Sequence, residues 1–243
     1  MHPPGLPLLL LMAVLSGPAC QKAQMTNSAF TDARSAQLAD AAARGDAALV
    51  RSQLQQGADP DARGEDGLNL LQHAIISGSR DGLEALLAGG ADPNLHGYSG
   101  ATALHTAAIA DDPGFLELLL AHGGDPNVAH AVTGERPLAK AVGMRTTRQF
   151  QLLLEAGADP NAADRTGNTA LHRAAMVNAG THVRALLEAG ADPLAKNAQD
   201  ATFQAYYFGV PDNVINDETR AHRQAIIAWL RGHNVPLEAA VDP

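Results

Sequence analysis

The sequence predicts an all-α solenoid built from helix-turn-helix repeats of about 33 residues. Glycines recur at a nearly constant spacing, and four of the five stand in the sequence Gly-Ala-Asp-Pro. These glycines are Gly57, Gly90, Gly123, Gly157 and Gly190. An apolar segment ending in a leucine pair precedes four of them, and a shorter Ala-rich segment precedes that. Repetition at such a period indicates a stack of similar units, and it is stronger evidence for the fold than any local sequence pattern.

The amino terminus has the composition of an export signal. Residues 6–15 form an unbroken apolar run of ten residues. As a helix this run covers roughly 15 Å, about half of the ~30 Å hydrocarbon core of a membrane. That length is typical of the apolar centre of a signal peptide, and the small, turn-prone segment 16–19 follows it. We therefore predict a signal peptide over residues 1–19.

The single cysteine, Cys20, comes directly after this segment. Its position resembles that of the lipid-modified cysteine of bacterial lipoproteins, and the resemblance implies lipidation of Cys20 and a polar tether over residues 20–35. Two features depart from that pattern: Gly17 replaces the usual aliphatic residue, and the first five residues contain no Lys or Arg. Cleavage without lipidation would leave Cys20 as a free thiol, and an apolar start unrelated to export is a third alternative.

From residue 36 onward, each part of a repeat has a physical reason. Glycine after the leucine pair can adopt the left-handed conformation that ends a helix. The Asp-Pro that follows disfavours further helix and starts a turn. Thr102 and Thr169 precede two of the shorter helices, where their side chains can cap free amide groups.

The two most regular copies, residues 100–127 and 167–193, resemble the ankyrin repeat, whose pattern is G-x-T-P-L-H-x-A-A followed by G-A-D-P-N. The resemblance implies a curved stack over residues 36–243, in which His105 and His172 bond the loop backbone and the preceding threonine. We divide the stack into an N-terminal cap at about 36–63, repeats at about 64–96, 97–129, 130–163 and 164–196, and a divergent C-terminal cap at 197–243.

The final unit is rich in aromatic residues and ends in an amphipathic segment, 218–230. Five of the nine aromatic residues of the chain stand here: Phe203, Tyr206, Tyr207, Phe208 and Trp229. Because no repeat buries its own face, the last one needs a cover. We expect these side chains to close the open end of the core.

Composition and motifs argue against catalysis, metal binding and nucleic acid binding. The net charge of −9 disfavours contact with phosphates, and one cysteine cannot build a Cys-rich zinc site. No serine-hydrolase, phosphate-binding or zinc-protease motif occurs. The segment from Asp59 starts like a calcium loop, but Arg63 and Leu70 stand where oxygen ligands belong. We expect no enzyme, no cofactor and no metal, with the loop histidines solvated.

A binding surface is the remaining prediction. Apolar residues recur just after the Ala-rich helices and would line the concave face as an exposed row, which marks an interaction site. The alternative, that they pack between repeats, stays open here. The loop tips add polar and aromatic contacts. The candidate contact residues are Ile76, His96, Tyr98, Ile109, Met144, Arg145, Arg148, Arg165, Met176 and Val177.

When the N-terminal cap is counted as the first repeat, the fourth repeat (130–163) departs from the pattern in sequence and in charge. Arg136 and Ala139 replace the threonine and histidine, and one residue is inserted before them. Against one acid, Glu135, stand the cations Arg136, Lys140, Arg145 and Arg148. This segment is either a solvated basic face or a docking patch for an acidic partner, tested by charge reversal at Arg145 and Arg148.

The sequence therefore predicts a non-catalytic, monomeric protein that binds another protein on the periplasmic side of the bacterial envelope, anchored there by lipid. Resemblance to envelope ankyrin proteins implies two roles. One is an immunity or accessory protein for an envelope enzyme or toxin, and the other is a scaffold for stress-defence factors. A secreted effector acting on host proteins is the alternative from a different class.

Overall fold

The computed structural model describes residues 30–143 and 145–238, which form pairs of helices joined by short turns. Within these residues two short 3-10 turns, Tyr98–Gly100 and Asp212–Val214, accompany the α-helices. The α-helices are α1 (Ala33–Ala43), α2 (Ala47–Gln55), α3 (Leu70–Ser77), α4 (Arg80–Ala88), α5 (Ala103–Ala107), α6 (Gly114–Ala121), α7 (Pro137–Lys140), α8 (Thr147–Glu155), α9 (Ala170–Met176), α10 (Gly180–Glu188), α11 (Phe203–Tyr207) and α12 (Asp217–Gly232).

The helices stack in two layers. The odd-numbered helices form an inner layer, in which each helix contacts the next odd-numbered one, and the even-numbered helices form an outer layer. Each inner helix also packs on the outer helix that follows it in the first five pairs. This arrangement confirms the predicted all-α solenoid. Among the described residues the only strand-like pairing is an isolated bridge between Arg63 and Asn69.

The core is a continuous apolar layer between the helix rows. The first leucine of every leucine pair is fully buried, and so are the paired alanines of the inner helices such as Ala107 and Ala108. These small side chains let neighbouring helices approach closely. These first leucines, one in each of the four pairs that precede a periodic glycine, are Leu86, Leu119, Leu153 and Leu186.

The five periodic glycines end the outer helices in the left-handed conformation, with φ between 84° and 95°. Nothing lies within 4 Å of a Cβ built on any of them. The backbone angle rather than lack of space therefore selects glycine at these positions.

Asparagine side chains link successive turns along one edge of the stack. Asn127 accepts a bond from Asp159 N at 2.7 Å and donates one to Gly157 O at 3.1 Å. Asn94 and Asn161 make the same pair of bonds to the turns that follow them. Each asparagine therefore fixes the position of the next repeat.

The two ends of the stack are covered differently. At the first end, Phe30 is buried ahead of α1, with its ring 5.6 Å from that of His73. At the other end, α12 packs against α10, and its buried Arg223 donates to Tyr207 O at 2.8 Å. The rings of Phe203 and Tyr207 are buried there. Because Phe30 is already buried at the first end, the packed structure begins a few residues before position 36.

Candidate partner-binding surface

Apolar side chains are exposed at the ends of the inner helices. The exposed fractions are 64% for Ile76, 52% for Ile109, 40% for Met176 and 54% for Val177. They lie at solvent, so packing between the repeats does not account for them. Exposed apolar side chains repeated in successive units are characteristic of a contact surface.

A groove of about 460 Å³ brings part of this row together. Ile76 and Ile109, from the ends of α3 and α5, share it with Arg145 from the turn before α8. The sequence predicted these three as contact residues but gave no sign that they lie in one groove. Further lining comes from Ile75, Gly78, Thr106, Ala110, Asp111, Asp112 and Phe115.

The groove has an apolar floor and a charged rim. Arg80 binds the carboxylate of Asp112 in the neighbouring repeat, and this hydrogen bond lowers the pKa of Asp112. Arg145 lies 3.8 Å from Asp111, with both side chains more than four-fifths exposed. Such an exposed pair is weak, so a partner can compete for either charge.

Carboxylates from neighbouring elements offset the basic character predicted for Arg145 and Arg148. Arg148 lies 3.4 Å from both Glu117 and Glu155, and Arg145 faces Asp111. Asp111 and Glu117 belong to the preceding repeat, so the count of one acid in the local sequence missed them. The structure thus corrects the expectation of an isolated cationic face at these two positions.

Two of the three predicted loop residues hold neighbouring loops in place. His96 Nε2 lies 2.8 Å from Ala129 O, and Arg165 donates to Ala131 O at 2.7 Å. Tyr98 presents a half-exposed ring at its loop tip. Met144 and Cys20, two of the predicted site residues, lie outside the described residues.

His105 and His172 make the contacts that the resemblance implied. Thr102 N donates to His105 Nδ1 at 3.2 Å, and Nε2 lies 3.0 Å from Glu135 O in the next repeat. Because Nδ1 accepts a hydrogen bond, Nε2 carries the proton, and the ring is neutral. Burial lowers the pKa of His105 to about 4, which keeps it so. His172 makes the equivalent contacts with its threonine and with Ala201 O.

In the second repeat an amide takes the place of this histidine. Asn69 caps α3, and Gln72 Nε2 donates to Ala101 O in the following repeat at 3.3 Å. The amide replaces the imidazole because it also offers an acceptor and a donor. In the fourth repeat Ala139 has no such group, and the inner helix α7 is only four residues long.

Neither a metal site nor a membrane helix appears in the described part of the chain. No group of three or more His, Cys, Asp or Glu side chains there is arranged to hold a metal ion. None of the helices in residues 30–143 and 145–238 has both the length and the apolarity to cross a membrane.

The sequence showed Arg136 and Lys140 near Glu135 but gave no sign of a further cation, Arg173, at loop 130–135. Glu135 pairs with Arg173 from α9 as well as with Lys140 from α7. Arg173 belongs to the next repeat, so only the stacking brings it here. Val132 at the tip of this loop is 60% exposed and was also not predicted.

Comparison with known proteins agrees with this architecture. A family model described as ankyrin repeats (3 copies) matches residues 38–130 and 110–197. Protein PhlB of Serratia liquefaciens is 43% identical over 140 residues, which is 58% of this chain and 61% of PhlB. The match therefore spans about three fifths of that relative.

Two solved structures share the fold. The ankyrin repeat domain of Bcl-3, a member of the IkappaB protein family, has a TM-score of 0.64 at 33% identity, covering 69% of this chain and 75% of that domain. A chain from the complex of the predatory endopeptidase Bd0816 of Bdellovibrio bacteriovorus with the immunity protein Bd3460 also has a TM-score of 0.64. It is 25% identical, and the match covers 77% of this chain and 97% of that one.

Proposed function

This chain belongs to the ankyrin-repeat family, and on that premise we propose that it is a non-catalytic, monomeric module that binds one protein partner in the bacterial envelope. Stacked repeats offer an extended surface whose specificity depends on substituted side chains rather than on the frame. One observation supports the proposal most directly: Ile76 and Ile109 stand exposed in a groove with a charged rim.

The proposed contact combines an apolar anchor with polar specificity. An apolar side chain of the partner fits between Ile76 and Ile109 and removes both from water. At ~25 cal/mol per Å² of apolar surface, full burial of one isoleucine contributes about 1.5–3 kcal/mol. The exposed Asp111 and Arg145 then select the charges that flank this anchor.

Site-specific photo-crosslinking tests this function. A photoreactive phenylalanine analogue placed at Ile76 or Ile109 should yield one discrete protein adduct in intact bacterial cells. The same probe at Leu194, an equally exposed apolar side chain in a turn, should not. Ile109→Glu should abolish the Ile76 adduct because it places a charge in the apolar contact, while the thermal midpoint stays within about 2 °C. Adducts at all three positions would contradict the proposal.

A second, narrower function is favoured by the likeness to the chain from the endopeptidase–immunity protein complex, which the match covers almost completely. In that case the partner is an enzyme, and the module restrains it as an immunity protein. We expect the crosslinked adduct to be a peptidase. The purified protein should lower the activity of that peptidase, and the Ile109→Glu variant should not. An adduct with no hydrolytic activity would exclude it and leave protein binding in place.

A further inference from the structure

Four cations surround loop 130–135, which shares no residue with the lining of the groove. We call this the basic loop patch, and its members are Arg136, Lys140, Arg165 and Arg173. Glu135 in the loop lies 3.7 Å from Lys140 Nζ and 3.4 Å from Arg173 Nε. Its side chain is only 14% exposed, whereas those of Lys140 and Arg173 are 39% and 43% exposed. The carboxylate is therefore covered while the two cations face solvent.

The other two cations bond neutral groups. Arg136 donates to Gly134 O, and Arg165 donates to Ala131 O at 2.7 Å. Within the described residues neither forms an ion pair. The carboxylate of Asp164 accepts bonds from Thr166 and Asn168 in its own turn. The carboxylate of Glu135 is covered and that of Asp164 is engaged in its own turn. This surface is therefore positive, although the net charge of the chain is −9.

Two further observations describe the patch. Burial lowers the pKa of His130 in the loop, and the positive charge of Lys140 lowers it further. The charge of the patch therefore reaches the loop itself. Val132, at the tip of the loop, is 60% exposed. An apolar side chain thus stands among the cations.

We propose that the basic loop patch docks an acidic segment of the protein partner, in which two or more carboxylates flank one apolar side chain. The apolar side chain packs on Val132, and the carboxylates pair with the exposed guanidinium and ammonium groups around it. Charge-assisted pairs with arginine can be bidentate, which favours carboxylates over other polar groups. This inference rests on the proposed function, because it names the chemistry of that partner.

Peptide binding by the purified protein tests the patch directly. The probe is a fluorescent peptide, Glu-Glu-Leu-Glu-Glu, and its matched control is Gln-Gln-Leu-Gln-Gln. We expect the acidic peptide to bind and to weaken with added salt. Arg136→Gln with Arg165→Gln should weaken binding by about ten-fold, and Lys140→Gln with Arg173→Gln should do the same. The second pair leaves the covered Glu135 without its two cations, whereas the first pair keeps both, so the first pair decides the outcome if the second affects folding.

The control variant removes the same number of charges on two outer helices. Arg51→Gln with Arg184→Gln should change the affinity by less than about two-fold, since neither arginine belongs to the patch or lines the groove. Equal weakening by this variant, or equal binding of the amide peptide, would refute the inference. Tripolyphosphate provides a further arm: binding as tight as that of the peptide would indicate a general anion site and overturn the choice of a protein segment.

The two proposals can fail separately. A partner crosslinked at Ile109 whose affinity is unchanged in the patch variants would refute the inference and leave the proposed function intact. If no protein is crosslinked, the proposed function fails, and the peptide experiment still decides whether the patch binds acidic segments.

Discussion

At the scale of single residues, His105 links two repeats through both ring nitrogens. Only 2% of its surface is exposed, and the neutral ring accepts a bond at Nδ1 and donates one at Nε2. Protonation removes the acceptor and places a charge in the core. The folded state therefore binds this proton much less readily than the unfolded chain does.

This difference predicts a stability that falls with acidity. The pKa of His105 is about 4 in the folded protein against 6.5 as the ordinary value. Above pH 6.5 both states are neutral, and below it the unfolded chain takes up the proton first. The free energy of unfolding should therefore drop between about pH 6.5 and 4, by up to about 3 kcal/mol from this residue.

Urea unfolding at several pH values checks this contribution. His105→Gln should flatten the pH dependence, because an amide at the equivalent position of the second repeat, Gln72, already bonds the next repeat. His122→Gln, at an exposed position, should leave it unchanged. Buried His73 and His182 also have lowered pKa values, so part of the slope should persist. A slope identical to that of the wild type in His105→Gln would contradict the assignment.

At the scale of elements, the asparagine links hold each turn to the next. Asp61 occupies the first position of this row, where it accepts a bond from Asp92 N at 2.8 Å. A carboxylate cannot donate to Gly90 O, so one bond is missing there. The row ends at Leu194, which no further turn of this kind follows.

Asp61→Asn should therefore stabilise the protein by about 0.5–1 kcal/mol, because it supplies the missing donor. Asn127→Ala should destabilise it by about 1–2 kcal/mol through loss of two bonds. Chemical denaturation measures both changes. Asp59→Asn removes the same charge as Asp61→Asn but bonds only within its own turn, so it should have little effect. A gain of equal size in Asp59→Asn would attribute the stabilisation to charge alone.

The elements could be predicted from the sequence because their signals repeat along it. Leucine pairs, glycines and Asp-Pro turns recur once in each repeat, and the structure forms its helices accordingly. Contacts between repeats carry no such signal. The acids that face Arg145 and Arg148 and the meeting of Arg173 with Glu135 depend on stacking across about one period. For the same reason the sequence predicted single residues of the groove but not that they lie in one groove.

At the scale of the whole molecule, the signal peptide predicted for residues 1–19 bears on where the protein is located. We propose that the protein is exported and that lipid on Cys20 anchors it. The mature protein made in a bacterial host should have a mass increased by a diacylglycerol-sized group and should incorporate labelled fatty acid. Cys20→Ala should lose both. An unmodified chain that starts at Cys20 would instead favour a soluble periplasmic or secreted protein.

Phe30, buried beside His73, sets the length of the tether between the lipid and the packed repeats in the anchored form. Phe30 stands ten positions after Cys20, and a chain of that length spans at most about 35 Å. The first repeats would therefore stay close to the bilayer surface, although the protein could still swivel about its anchor. Its partner would then have to be a protein held near the same membrane, since one diffusing deep in the periplasm would seldom come within reach.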